Sequence, residues 1–117
     1  MKSKPFHKRV KFALNGIRSA WHTESSFRVQ AVLGAGMLVF TVVLRPAPVW
    51  WALIFLTMAG VFASELVNTA LEHVVDRLHP EEHPMIGKAK DCAAGAVLIL
   101  SLAAIGVFIA LMVSRFL

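Results

Sequence analysis

The sequence CAAGAVLILSLAAIGVFIALMVS, residues 92–114, contains 23 consecutive positions without a charged side chain. About 20 apolar helical residues suffice to cross the ~30 Å hydrocarbon layer of a bilayer, so this segment is long enough to span a membrane. Two shorter uncharged segments precede it, 16 residues at 49–64 and 14 residues at 31–44. Fourteen residues alone are equally typical of a buried helix in a soluble protein, but apolar flanking residues lengthen this segment. The simplest prediction is three membrane spans, at about 27–44, 49–67 and 92–115.

The composition of the whole chain agrees with a membrane protein. Of its 117 residues, 57% are hydrophobic and 16% are charged, whereas soluble domains are ~45–50% apolar and ~25% charged. The same values exclude intrinsic disorder. A single cysteine, Cys92, excludes a disulfide framework and a cysteine-based zinc site. The length leaves no room for a second domain, so we expect residues 1–117 to form one membrane-embedded all-α domain.

The charged residues predict the orientation of the chain. Seven of the twelve Lys and Arg residues lie within residues 1–28, and three more lie between the second and third spans. Only Arg45 and Arg115 fall on the other side. The positive-inside rule therefore places the N-terminus and the second loop in the cytoplasm. All seven carboxylates lie on that side or at its membrane boundary, which indicates that the chemistry takes place at the cytoplasmic surface.

The N-terminal segment has the pattern of an amphipathic helix at about residues 6–25. Its apolar residues recur at helical spacing: Val10, Ala13, Leu14, Ile17, Ala20 and Trp21. The opposite face is polar and carries Lys8, Lys11, Asn15 and Arg18. Such a helix is typical of a segment that lies on an anionic membrane surface. The alternative is a basic topology signal without a further role.

The segment ELVNTALEHVVD, residues 65–76, is the most informative for function. Its polar residues Glu65, Asn68, Glu72 and Asp76 are spaced 3, 4 and 4, which places them within about 80° of the helix circumference. Like charges at this spacing repel, and an acid at the bilayer boundary costs desolvation. A metal ion, a basic side chain from a neighbouring segment, or both must compensate them. Because Glu65 directly follows 16 uncharged residues, a functional role explains it better than a solvated helix end.

Two other polar clusters lie between the second and third spans. In GKAKD, residues 87–91, Lys90 and Asp91 are expected at the N-terminal end of the third helix, where backbone amides and lysines can hold phosphate. The alternative is a charged anchor that fixes the end of the span. His79 and His83 have a spacing that metal sites use, but Pro80 and Pro84 make a regular helix there unfavourable. We therefore do not expect a dedicated transition-metal site.

Residues 65–76 resemble the signature of the small prokaryotic diacylglycerol kinase family, which includes the undecaprenol kinases. GIRSAW at 16–21, ESSFR at 24–28 and residues 89–97 follow in the order and spacing of that family. The resemblance covers nearly the whole chain from about residue 12. It implies a homotrimeric enzyme of the bacterial cytoplasmic membrane, with three transmembrane helices and an interfacial N-terminal helix. Such an enzyme uses Mg-ATP to phosphorylate the hydroxyl of a membrane lipid.

The resemblance also implies roles for individual residues. Glu65 matches the general base that takes the hydroxyl proton, and Glu24 and Glu72 match the carboxylates that hold ATP-bound Mg²⁺. The nucleotide contacts that it implies are Glu24, Asn68, Glu72, Asp76, Glu81, Glu82, His83, Lys90 and Asp91. The lipid contacts that it implies are Arg18, Trp21, Phe27, Arg28, Glu65 and Ala94.

The chain departs from the diacylglycerol kinase pattern at a few positions. Gln30 stands where the best-known diacylglycerol kinases carry an acid, and Ala94 lies in a stretch closer to undecaprenol kinases. Lys8 or Arg9 would replace an N-terminal nucleotide contact. We expect diacylglycerol to be the acceptor, giving phosphatidic acid; the alternative is undecaprenol, giving undecaprenyl phosphate.

Two other classes of protein fit the sequence less well. A non-enzymatic membrane subunit or small transporter would carry polar residues near the midpoint of a span, whereas here they cluster at one end. A nucleic-acid-binding module would explain the pI of about 10.0. Because the basic residues adjoin a membrane span, anionic lipid explains them better, and we expect no nucleic-acid partner.

Overall fold

The computed structural model describes residues 3–117, which form four α-helices. These are α1 (Phe6–Thr23), α2 (Ser25–Leu44), α3 (Pro48–Leu78) and α4 (Pro84–Phe116). The described part of the chain contains no β-strand. Helices α2, α3 and α4 are each long and apolar enough to cross a membrane. This confirms the predicted all-α class with three spanning helices after an N-terminal helix. Lys2, one of the cations that predict the orientation, lies outside the described residues.

The helices differ in length from the predicted spans. Helix α3 continues well past residue 67, and α4 begins eight residues before residue 92. With 31 and 33 residues, they are about 46 Å and 50 Å long at ~1.5 Å per residue. Both therefore exceed the ~30 Å of a hydrocarbon layer. Because helical hydrogen bonds form in water as well as in lipid, the end of a span is not the end of its helix.

A tight turn of three residues joins α2 to α3. Arg45 ends α2 with φ 51° and ψ 55°, in the left-handed region in which many helices end, and Pro46 follows it, as is common just after a helix C-terminus. Pro48 then occupies the start of α3, where its fixed φ suits a helix and its missing N–H has no partner to lose. The turn returns the chain through the membrane, so α2 and α3 are antiparallel.

The hydrophobic core lies at the turn end of the bundle. It is formed by Leu44, Ile54 and Leu111, which are 1–7% exposed and come from the three spanning helices. Most other apolar side chains face outward: Val43, Leu56 and Ile99 are about 70% exposed. A surface this apolar is stable in hydrocarbon and not in water, which agrees with a membrane protein.

Two glycines permit close packing of the spanning helices. A Cβ atom at Gly34 would lie 2.7 Å from Met58 Cε, and one at Gly60 would lie 3.0 Å from Leu100 Cδ2. At Gly36, Gly95 and Gly106 a Cβ atom would meet nothing within 4 Å. Close packing of helices within one chain therefore explains the glycines at positions 34 and 60, but not the other three.

Candidate active site

The polar residues of α3 form one continuous stripe that leads out of the membrane. Glu65 is 6% exposed and is the only fully buried carboxylate among residues 3–117. Asn68 and Glu72 are half-buried, and Asp76 is exposed. The stripe therefore connects an apolar environment at Glu65 with water at Asp76 on a single rigid helix.

Glu65 is partnered by a residue of the opposite helix. The Ser26 hydroxyl, in the first turn of α2, donates a hydrogen bond to Glu65 Oε2 at 3.3 Å. Beside this pair the Phe27 and Phe62 rings pack edge to face with centroids 5.4 Å apart. Phe27 is itself buried and adjoins Ser26 in the chain, and Phe62 lies one helical turn before Glu65.

Ser26 has no role among those that the sequence predicts, although the spacing of residues around the turn predicts that Ser26 and Glu65 are neighbours. Ser26 precedes Arg45 by 19 residues, and Glu65 follows Ala47 by 18. In an antiparallel helix pair these separations amount to about 28 Å and 27 Å along the axis. The two residues must therefore lie at the same height above the turn.

Glu24 is the one residue between α1 and α2, in an extended conformation. Its side chain makes no hydrogen bond to the first amides of α2. Instead Glu24 Oε1 lies 3.8 Å from His73 Nε2 of α3. Since His73 follows Glu72 directly, the fold brings Glu24 to the helical turn that carries Glu72.

The donor atoms at this point fit a hard divalent cation. Carboxylate and amide oxygens are the ligands that Mg²⁺ takes from proteins. Asn68 Oδ1, on the stripe between Glu65 and Glu72, is buried without a hydrogen-bond partner in the protein, an uncommon state for such an atom. Within residues 3–117 there is no cluster of three or more His, Cys, Asp and Glu side chains that could hold a metal. The carboxylate and amide oxygens present fit Mg²⁺ by their chemistry, but they do not form a complete metal site among the described residues.

An ion pair joins the water-side end of α3 to α4. Lys90 Nζ donates to Asp76 Oδ1 at 2.7 Å. This hydrogen bond, followed by the charges of Asp76 and Glu72, raises the pKa of the Lys90 amine above its ordinary value of 10.5, and partial desolvation opposes the shift. The lysine is therefore fully protonated at neutral pH.

A polar cavity of about 600 Å³ lies beside this ion pair. Five residues that the family resemblance marks as nucleotide contacts line it: Asp76, Glu81, Glu82, His83 and Lys90. The segment between α3 and α4 that shapes the cavity is not helical, as Pro80 and Pro84 predict. Asp91 does not line the cavity and is exposed.

The expectation that Lys90 and Asp91 stand at the start of the third helix is wrong. Helix α4 begins at Pro84, so its free amides belong to the first turn. One of them is already satisfied, because the Met85 N–H donates to His83 Nδ1 at 3.1 Å. The nearby His79 Nδ1–H donates to the Glu81 carbonyl at 2.9 Å. The free backbone amides of α4 are therefore not those of residues 90 and 91.

The expected lipid contacts are dispersed within the single chain. Arg18 and Trp21 are exposed on α1, and Ala94 is exposed on α4. Among residues 3–117, no Cα of α1 lies within 8 Å of one in α4. The Arg28 guanidinium is directed to α1, where Nη1 donates to the Trp21 carbonyl at 2.6 Å and to the His22 carbonyl at 3.3 Å.

A second, apolar cavity of about 420 Å³ lies between the three spanning helices. Phe62, Val61 and Met58 of α3 line it on the membrane side of Glu65. Its polar residues are Gln30 of α2 and Ser101 of α4. Gln30, at which the resemblance marks a departure from diacylglycerol kinases, thus lines an apolar cavity on the membrane side of Glu65.

Comparison with known proteins identifies the family. A model of the family described as prokaryotic diacylglycerol kinase matches residues 11–112. The undecaprenol kinase of Bacillus subtilis (strain 168) is 36% identical over 96 residues, which are 82% of this chain and 78% of that protein. The diacylglycerol kinase of Haemophilus influenzae is 34% identical over 90 residues, with coverages of 77% and 76%. The diacylglycerol kinase of Escherichia coli (strain K12) is 32% identical over 109 residues, with coverages of 93% and 89%.

The matched residues 11–112 include parts of all four helices and every residue proposed above as general base, magnesium ligand, nucleotide contact or lipid contact, except Lys8 and Arg9. The matches confirm the family that the segment at residues 65–76 indicates. The chain therefore belongs to the prokaryotic diacylglycerol kinase family, and it is a lipid kinase.

Proposed function

We propose that the protein transfers the γ-phosphate of Mg-ATP to the hydroxyl of diacylglycerol, which gives phosphatidic acid and ADP. One observation carries this proposal: the buried Glu65 carboxylate stands at the membrane end of a polar stripe that continues into water. A lipid alcohol stays in the bilayer and ATP stays in water. The two substrates can therefore react only at such a boundary.

Glu65 acts as the general base in this proposal. As the lipid oxygen bonds to the γ-phosphorus and the bond to ADP breaks, the hydroxyl proton passes to the Glu65 carboxylate. The Ser26 hydroxyl already donates to this carboxylate, which supports its ability to accept from a second hydroxyl. Phosphoryl transfer needs positioning and charge neutralisation more than covalent participation by the protein.

Glu24 and Glu72 would hold the magnesium ion, with its remaining ligands supplied by ATP phosphates and water. The ion would neutralise negative charge on the phosphates of the nucleotide. The contact of Glu24 with the turn after Glu72 supports this assignment. The unpartnered Asn68 Oδ1 offers one more oxygen on the same stripe.

ATP would occupy the polar cavity between α3 and α4. Its lining by Asp76, Glu81, Glu82, His83 and Lys90 supports this site. Because Lys90 is protonated and lies at the protein surface, a phosphate oxygen can replace Asp76 as its partner. Asp91 completes the set of proposed nucleotide contacts.

We assign the lipid side of the reaction to a homotrimer. Arg18, Trp21, Phe27 and Ala94 are the proposed lipid contacts besides Glu65. The separation of α1 from α4 within one chain supports an arrangement in which neighbouring chains complete the site. One chain also offers too few helices to surround a nucleotide and a lipid together.

We place the enzyme in the bacterial cytoplasmic membrane with its N-terminus and active site on the cytoplasmic side. Ten cations lie at the active-site end of the chain and two at the other, as the positive-inside rule requires. A cysteine introduced at Asn15 should be labelled by an impermeant maleimide only after the cells are opened. Labelling of intact cells would show that the N-terminus lies outside the cell and would contradict the proposed orientation.

The decisive experiment is an assay of the purified protein in detergent. Mg-ATP should be consumed only when a lipid alcohol is present, with one phosphomonoester formed for each ADP. Consumption of ATP without a lipid would contradict the proposed acceptor, and a chain that phosphorylates no lipid would contradict the proposed reaction.

Undecaprenol is a second candidate acceptor, and the 36% identity to the Bacillus subtilis undecaprenol kinase favours it. Side-by-side values of kcat/KM for the two lipids decide between them. Because Gln30 lines the apolar cavity below Glu65, Gln30→Glu should change the ratio of the two values. The matched change Gln30→Leu separates the effect of charge from that of shape.

A further inference from the structure

The junction of α1 and α2 consists of one residue, and that residue is Glu24. Its backbone is extended, with φ −114° and ψ 109°. The direction of its side chain therefore depends on the angle at which the two helices meet. Nothing in the first turn of α2 fixes the carboxylate, because it makes no capping hydrogen bond there.

The last carbonyls of α1 need partners that the helix cannot supply. The Glu24 N–H donates to the Ala20 carbonyl at 2.8 Å. The next two carbonyls, of Trp21 and His22, both accept from Arg28 Nη1, at 2.6 Å and 3.3 Å. A cation at this position also interacts favourably with the negative end of the helix dipole.

Arg28 belongs to α2, one turn beyond Glu24. Its own N–H donates to the Glu24 carbonyl at 3.3 Å, while its side chain reaches back across the junction. Arg28 therefore bonds to the chain before Glu24 and to Glu24 itself, and these bonds limit the angle between α1 and α2. On the far side of the junction, Glu24 Oε1 meets His73 Nε2 at 3.8 Å.

We propose that Arg28 is a positioning residue: its guanidinium clamps the C-terminal carbonyls of α1 and thereby directs the Glu24 carboxylate toward the turn that carries Glu72. This inference rests on the proposed function, in which these two carboxylates hold the magnesium ion. It assigns to Arg28 a role in metal affinity rather than a contact with the lipid.

The first measurement is the dependence of lipid phosphorylation on Mg²⁺ concentration. Arg28→Gln should raise the Mg²⁺ concentration for half-maximal activity by about tenfold, as the loss of a residue that orients a metal ligand does, while KM for the lipid stays unchanged. Arg28→Lys keeps one donor and the charge, so it should restore part of the affinity. Arg115→Gln, at the opposite end of the bundle, is the matched control.

A double-variant cycle identifies the residue through which Arg28 acts. In a Glu24→Gln background, Arg28→Gln should leave the Mg²⁺ dependence unchanged, because the carboxylate that it directs is absent. An equal effect in both backgrounds would overturn the proposal. A rise in KM for the lipid at constant Mg²⁺ dependence would also overturn it and would make Arg28 a substrate contact.

Hydrogen exchange tests the clamp without any kinase activity. Arg28→Gln should speed exchange of the amides at residues 20–24 by about fivefold, the effect of losing a typical hydrogen bond, and Arg28→Lys should reverse part of it. Unchanged exchange would overturn the clamp. A wild-type chain that phosphorylates no lipid would refute the proposed function instead, and the exchange rates would still decide whether the clamp exists.

Discussion

The Ser26 hydroxyl lies 3.3 Å from Glu65 Oε2 and donates a hydrogen bond to it across the interface of α2 and α3. This contact orients a buried carboxylate at the point where the apolar part of α3 gives way to its polar stripe. It joins a residue that the sequence singles out to one that the sequence leaves without a role.

Ser26→Ala should lower kcat with little change in KM for ATP. The hydrogen bond is long, so its loss should cost about 0.5–1 kcal/mol, or roughly a two- to fivefold lower rate. Ser26→Thr retains the hydroxyl and should retain most of the activity. Ser25→Ala is the matched control, because the neighbouring serine makes no such contact with Glu65. An equal loss in both alanine variants would deny Ser26 a specific role.

Glu65→Gln should reduce turnover on the order of 10²–10⁴-fold, the usual contribution of a general base. The amide has the same shape but cannot take the hydroxyl proton. Nucleotide affinity, measured by titration with a non-hydrolysable analogue, should stay close to that of the wild type. Ser64→Ala, which removes the adjacent hydroxyl, should leave the rate unchanged. A fully active Glu65→Gln variant would remove Glu65 from the mechanism.

Glu72→Gln should weaken ATP binding and the Mg²⁺ response together. Because the carboxylate is a proposed ligand of the ion, the Mg²⁺ concentration for half-maximal rate should rise on the order of 10-fold or more. Steady-state rates at varied Mg²⁺ and fixed lipid measure the change. Arg77→Gln, on the exposed surface of the same helix, should have no such effect. If Glu72→Gln lowered the affinity for the lipid instead, Glu72 would be a lipid contact and not a ligand of the magnesium ion.

The ion pair of Lys90 and Asp76 should make thermal stability depend on pH at the alkaline end. The pKa of Lys90 is raised in the folded protein. The contribution of the pair is therefore complete below the ordinary value of 10.5 and is lost as pH rises through the higher folded-state value. In detergent, the Tm difference between wild type and Lys90→Met should vanish in this range.

The same Tm difference should shrink at high salt, because the pair is exposed and ions screen it. In an Asp76→Asn background, Lys90→Met should have no further effect on Tm. A difference that persists in this background would mean that Lys90 stabilises the fold through another contact.

Gly60→Ala should stabilise the bundle less than Gly36→Ala does. Replacing a helical glycine by alanine gains about 1 kcal/mol where there is space, and a Cβ atom at Gly36 meets nothing within 4 Å. At Gly60 it would press on Leu100 Cδ2 at 3.0 Å. Tm values of the two variants measure the difference. Adding Leu100→Ala to Gly60→Ala should relieve the clash. Equal gains at both glycines would show that α3 and α4 are not closely packed there.

The sequence by itself determined the class of the fold, the number of spans and the stripe that begins at Glu65. Uncharged segments of sufficient length must be helical in lipid, because no water is available for unpaired backbone groups. Residues three and four positions apart share a helix face for the same geometrical reason in every helix. The family signature at residues 65–76 depends on these local relationships, and it could therefore be identified from the chain alone.

Only the tertiary structure decided which distant residues meet. The contacts of Ser26 with Glu65, of Glu24 with His73 and of Arg28 with the end of α1 join different elements of the fold. The extension of α3 and α4 beyond the predicted spans also appeared only there, and it corrected the position of Lys90 and Asp91 in α4. The physical reason is that hydropathy reports the solvent around a residue. Hydropathy does not report where a helix ends, nor which side chain of a neighbouring helix contacts a given residue.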